Sequence, residues 1–183
     1  MRVFWKHGYE GTSLPALTAA MRINRPSLYA AFGNKEALFF KALARYFERA
    51  GSFFGVALAE PTIRRVVERL LLGGADAYSS QRSPRGCFCI QGGVAGSADS
   101  EPVRKELIGR RLAAEAALRS RFERAIEERD LPLDANAATL ARFVMTVLAG
   151  ISIQATNGTH AAALRQIAEL AAGAIFTDRP AEH

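Results

Sequence analysis

Two cysteines, three histidines and one tryptophan are all that the 183 residues hold of those types, and each scarcity excludes a class of chemistry. Cys87 and Cys89 are too few and too close for a disulfide framework, and no histidine or further cysteine stands beside them at zinc-ligand spacing. His7, His160 and His183 are dispersed, without a Ser-His-Asp arrangement, paired carboxylates or a metal-ligand cluster around them. No enzyme, cofactor or metal is therefore expected. The stretch "QGGVAG" from Gln91 lacks the preceding strand and the lysine of a phosphate-cradling loop. No apolar run comes near the ~20 residues of a membrane span. The start, "MRVFWKHGYEGTS", lacks the continuous apolar stretch and cleavage site of a secretory signal, so the expected setting is the cytoplasm with no membrane partner. Period-two alternation and Asn-Gly hairpins are also missing. Ala, Leu, Arg and Glu recur instead at helical spacing, which predicts an all-α fold.

What is present is unevenly charged. Residues 1 to 46 hold seven basic side chains against two acidic ones, while the rest of the chain has seventeen against sixteen, so nearly all of the net +6 sits in the first quarter. Such an excess suits a polyanionic partner for that quarter, although a solvated basic face would look the same by charge alone.

Gly, Pro and capping residues punctuate the chain. They predict helices over 1–8, 13–20 and 24–31, and then a long helix from Asn34 toward Pro61 weakened at Gly51 and Gly55. A helix over 62–80 follows, then the loop "SQRSPRG" and a short helix or turn in "CFCIQGGVA". Ser100 is expected to cap a long polar helix reaching about Arg129, with Pro102 in its first turn. Asp134 is expected to cap a helix ending at Asn157-Gly158, and the last runs from Thr159 to about Phe176 before a frayed tail.

The second and third helices form a recognisable unit. Thr12 or Ser13 can cap the second, whose Leu14, Leu17 and Met21 follow the spacing of a buried stripe. "MRI" makes a turn, Asn24 caps the third helix, and Pro26 lies in its first turn, where a missing N–H costs nothing. With Ile23, Leu28 and Phe32 turned inward, Arg25, Pro26, Ser27 and Tyr29 remain outside, where side chains can reach base edges and phosphates. This is a helix-turn-helix. Its recognition helix is short because only its N-terminal turn meets the bases. Asn34 caps the next helix and sets Lys35 beside a positive helix terminus, a natural phosphate clamp.

The segment "FWKHGYEGTSLPALTAAMRINRPSLYAAFGNKEALF" resembles the DNA-binding domain of the TetR family of transcriptional regulators. The shared pattern is Phe, Gly-Tyr, Thr-Ser, a small-residue helix, Ile, Ser-Leu-Tyr, Phe and Lys-Glu-Ala-Leu, mutually spaced over roughly a fifth of the chain. The resemblance implies phosphate contacts for Tyr9, Thr12, Tyr29 and Lys35, and base-facing roles for Arg25, Pro26 and Ser27. It also implies a DNA-binding domain over 1–46 and a helical effector-binding and dimerisation domain over 47–183. Family members have a complete first helix, whereas only Met1 to His7 precede Gly8 here, so the start of that helix is expected to lie upstream of Met1.

In the larger part, two apolar helices near the end carry Phe143, Val147 and Ile151, then Leu164, Ile167, Ala171 and Ile175. Small residues among them let helices approach, so these positions are candidates for a four-helix homodimer interface, with closure of the chain's own core as the alternative. Phe53, Phe54, Tyr78, Phe88, Phe122 and Met145 are candidates to line an effector cavity. Cys87 and Cys89 form a candidate redox pair with Arg85 as the nearest basic group, set against the commoner role of buried cysteines as inert packing. The expected function is a ligand-responsive transcriptional regulator, a repressor, which binds a palindromic DNA operator as a homodimer and is released by a small-molecule effector. The alternative is a helical ligand-binding or scaffold protein whose helix-turn-helix no longer binds an operator.

Overall fold

The computed structural model describes residues 1–49, 51–91 and 100–176. The expected frayed tail and the Gly-rich 92–96 lie outside the described residues. Among the described residues the chain is all-helical: α1 (Arg2–His7), α2 (Leu14–Met21), α3 (Arg25–Phe32), α4 (Lys35–Phe47), α5 (Phe53–Leu58), α6 (Ile63–Ser79), α7 (Phe88–Gln91), α8 (Glu101–Glu127), α9 (Ala137–Thr156) and α10 (Ala161–Ile175).

The caps explain most of the boundaries. Ser13, rather than Thr12, caps α2 by accepting the Ala16 N–H at 3.2 Å, and Asn24 caps α3 through Ser27 N–H at 2.8 Å. Asn34 caps α4 through Ala37 N–H at 2.7 Å, and Thr62 accepts the Arg65 N–H at the start of α6. α9 is capped by Asn136 rather than Asp134, because a turn closed by Ala135 N–H to the Pro132 carbonyl carries the chain past the aspartate. His160 caps α10, its Nδ1 accepting from Ala163 N–H at 3.2 Å. Ser100 precedes α8 without a side-chain cap bond.

The long helix expected from Asn34 toward Pro61 is two helices. Arg49 and Gly51 both donate to the Tyr46 carbonyl, which turns the chain after α4, and Gly51 then lies against the Tyr46 and Phe47 rings, where a Cβ would stand 3.1 Å from each. Met21, expected inside, is exposed, while Leu17 is buried and Leu14 half-buried. α9 has the length and composition of a membrane span, contrary to the expectation that no such run exists. Its inner face is Ala141, Val144, Leu148 and Ile151, all buried in the helical body.

α6 is the centre of that body, packed against α5, α9 and α10, with α8 across α9. Arg165 ties α10 to α6 by a bidentate bond to Asp76, 2.7 Å at both oxygens. Buried Arg121 of α8 donates Nη2 to the carbonyls of Glu60 and Pro61, and Asp130 accepts the Ile63 N–H, so the α5–α6 turn is held from two sides. α7 wedges between α1, α4 and α8 and joins the first three helices to the rest.

Candidate nucleic-acid interface and effector cavity

The turn of the helix-turn-helix is closed by Arg22 in the left-handed conformation at φ 56°, its N–H donating to the Ala19 carbonyl, with Ile23 N–H returning to Thr18. Leu28 is fully buried and Ile23 and Phe32 half-buried, which locks α3 to the domain by its inner side. Full burial of one such leucine contributes ~1.5–3 kcal/mol. The opposite side presents Arg25, Pro26, Ser27 and Tyr29, the last 45% exposed. These four are thus solvent-exposed in the first turns of α3.

Lys35 sits at the start of α4 with its Nζ 4.4 Å from the centre of the Tyr9 ring. Burial lowers its pKa, opposed by the nearby Glu10 carboxylate. Tyr9 is half-buried and meets Phe4 and Phe39 by ring contact, so it is a packing aromatic and a support for the lysine at once. Thr12 is placed differently from its expected role. It is 1% exposed and its hydroxyl donates to the Gly8 carbonyl at 2.6 Å, so it holds the α1–α2 turn instead of offering itself to a phosphate.

In the body a cavity of about 660 Å³ opens between α4, α5, α6, α7, α8 and α9. Four of the six expected residues, Phe53, Phe54, Tyr78 and Met145, lie in its wall. Phe88 and Phe122 do not. Phe88 is fully buried among Trp5, Phe39 and Tyr46, and Phe122 is fully buried in the core. Sequence reasoning missed Tyr46, Arg110, Arg111 and Arg142, which also form the wall. Arg142 pairs with Glu115 and Arg110 with Glu106, whereas Arg111 donates to the Cys89 carbonyl at 2.8 Å.

Both cysteines line this cavity as free thiols, buried by the protein around them. The Tyr46 hydroxyl donates to Cys87 Sγ at 3.4 Å. A hydrogen bond from the Cys89 thiol, joined by Tyr46 and the N–H groups of Cys89 and Ile90, outweighs burial and brings the Cys87 thiol down to about 6. The same bond and burial push Cys89 up, and burial pushes both Tyr46 and Tyr78 up. Of the two thiols, Cys87 is therefore the one whose surroundings favour the thiolate. Arg85, the expected basic neighbour, instead reaches the carbonyls of Ala155 and Thr159, and the guanidiniums of Arg111 and Arg110 act on Cys89, weakly opposing its rise.

The expected interface residues divide by depth. Ile151, Leu164 and Ala171 are buried within the chain's own core, so they are not available to a second subunit. Phe143 and Ile167 are exposed, and Val147 and Ile175 are half-buried. Two positions join them on the outside: Ile153 at 51% exposure and Leu170 at 76%. Phe143, Val147, Gly150 and Ile153 follow helical spacing on α9, facing outward beside Ile167, Leu170 and Ala174 of α10.

A helix-turn-helix with an exposed helix face, set on a helical body with an apolar cavity, defines a DNA-binding regulator with an effector domain. Residues 1–42 match the bacterial regulatory proteins of the tetR family, and residues 62–170 match the tetracyclin repressor-like C-terminal domain. The chain belongs to the TetR family of transcriptional regulators. It is 32% identical over 170 residues to the HTH-type transcriptional repressor ComR of Escherichia coli K12, covering 92% of this chain and 81% of that protein. Among solved structures it is similar to a cysteine-substituted form of the TetR family regulator CifR in complex with double-strand operator DNA. That match has 41% identity and a TM-score of 0.90, over 94% of this chain and 91% of that one. A TetR regulator from Rhodococcus sp. RHA1 shares 37% identity at a TM-score of 0.67, over 96% and 94% of the two chains.

Proposed function

We propose that this regulator is a repressor, not an enzyme, and that it acts in the cytoplasm as a homodimer on a two-fold symmetric operator. Arg25, Pro26 and Ser27 face the bases, while Tyr29 and Lys35 hold phosphates. The observation that carries this reading is the solvent-facing cluster at the start of α3, on a helix locked from behind by fully buried Leu28. A small-molecule effector enters the body cavity, which reaches α4 at Tyr46 and Phe47 and so touches the helix that follows the recognition helix. An effector can release DNA only by binding the DNA-free arrangement better than the DNA-bound one.

The outward apolar stripe on α9 and α10 supports pairing of two such hairpins, which sets the recognition helices into successive major grooves ~34 Å apart. The reading is tested by selecting duplexes from a random pool with the purified protein. Recovery of a two-fold symmetric sequence, bound by two chains, is the expected result. Failure to enrich any sequence would favour the scaffold alternative.

A further inference from the structure

We propose that Cys87 is the attachment point for the effector, and that the effector is an apolar α,β-unsaturated carbonyl compound which adds covalently to its sulfur. This rests on the repressor reading above and names the chemistry of the same cavity.

The cavity wall is mostly aromatic and aliphatic, as a ligand with an apolar body requires, and the one soft nucleophile set in it with several donors is Cys87. Its sulfur accepts a hydrogen bond from the Tyr46 hydroxyl at 3.4 Å, and this donor, with the neighbouring Cys89 thiol, favours the thiolate, the form that attacks carbon. The rest of the polar wall is also suited to an acceptor. Arg111 meets a carbonyl and no carboxylate among the described residues, while the lining Glu115 is engaged by Arg142. A carbonyl oxygen fits such a wall, and a cationic amine does not.

The step balances without an oxidant. The Sγ lone pair forms a C–S bond at the β-carbon of the unsaturated carbonyl, and the C=C π pair moves onto the carbonyl as an enolate. The α-carbon then takes a proton from the Tyr46 hydroxyl, which is restored from water, and nothing leaves.

The position of Cys87 links this addition to DNA. Gly86 before it accepts the Trp5 indole N–H at 3.1 Å, and Phe88 after it meets the rings of Trp5, Phe39 and Tyr46. On the other side, the Cys87 N–H donates to Ser152 of α9 at 2.7 Å, and the Gly86 N–H donates to the Tyr78 carbonyl at 2.8 Å. The turn that holds the nucleophile is thus bonded to α1, α4, α6 and α9 together. A carbon chain on Sγ takes the space facing Tyr46 and bears on α4, which leads directly from the recognition helix.

The test uses (E)-2-nonenal as probe, with saturated nonanal as the control that lacks the conjugated double bond and hydrogen peroxide as the oxidant arm. Operator binding by untreated protein is measured first, by fluorescence anisotropy, so that loss of the repressor reading is seen separately. The expected result is about a tenfold or larger loss of operator affinity with nonenal alone, with one adduct on the peptide carrying Cys87. Cys89→Ser should retain this response and Cys87→Ser should lose it while keeping native operator affinity. Equal release by nonanal, release by peroxide in place of nonenal, persistence in Cys87→Ser, or a Cys87 adduct that leaves DNA bound would each overturn the proposal.

Discussion

Trp5 and Gly86 are joined across 81 residues by a buried hydrogen bond, indole Nε1 to backbone carbonyl, at 3.1 Å. It fastens the first helix of the DNA-binding domain to the turn that carries Cys87. Trp5→Phe keeps an aromatic ring but leaves the Gly86 carbonyl without its donor, which should cost ~1–3 kcal/mol. Gly86 has φ +80°, and a Cβ there would collide with the Gln91 amide and stand 2.8 Å from the Thr156 methyl. Gly86→Ala should therefore be the more damaging of the two, and urea denaturation of both variants checks the order.

At the DNA face, Arg25→Ala should weaken the selected operator by ~1–3 kcal/mol and relax its sequence preference. Lys35→Ala should weaken all sequences alike and lower the salt slope by about 1. Thr12→Val separates structure from contact. Loss of its bond to the Gly8 carbonyl should cost ~1 kcal/mol of stability, with unchanged operator affinity for the folded fraction. Anisotropy titrations at several salt concentrations, with circular dichroism alongside, distinguish the three.

Alkylation of Cys87 should follow its thiolate. Because donors bring this thiol down to about 6, the rate should rise as pH increases through about 6 and then level off. An ordinary thiol keeps accelerating toward ~8.5. Tyr46→Phe removes one donor to the thiolate, so the midpoint should move upward. Stopped reactions analysed by intact mass give both profiles.

Leu170, 76% exposed on α10, makes little contribution to its own chain's core. Leu170→Glu should leave thermal stability of the isolated subunit nearly unchanged while converting the dimer to monomer at micromolar concentration. Analytical ultracentrifugation reads the result directly, and an unchanged sedimentation coefficient would place the subunit contact elsewhere.

Helix existence, the helix-turn-helix and most of the caps were legible in the residues because they are local events. A side-chain oxygen of Ser13, Asn24 or Asn34 accepts an N–H three residues ahead, and Gly33 follows α3 with φ 81° whatever the rest of the chain does. The misses were competitions between neighbours, such as Asn136 against Asp134, or depended on a distant surface, as where Gly51 packs on Tyr46 and Phe47.

By itself, then, the sequence determined an all-helical chain, a basic DNA-reading unit at its start and the identity of the recognition helix, because periodicity, capping and charge act within a few residues. Tertiary structure alone decided that Ile151, Leu164 and Ala171 close the core while Ile153 and Leu170 face outward, since both helices carry apolar residues on more than one face and the sequence does not say which face is inside. It also decided the chemistry of Cys87. Local donors from Cys89 and Ile90 act on the thiol, but the Tyr46 hydroxyl that joins them lies 41 residues away in the chain. Ser152, which accepts the Cys87 N–H and fixes the turn, lies 65 away, so only folding completes the thiol's surroundings.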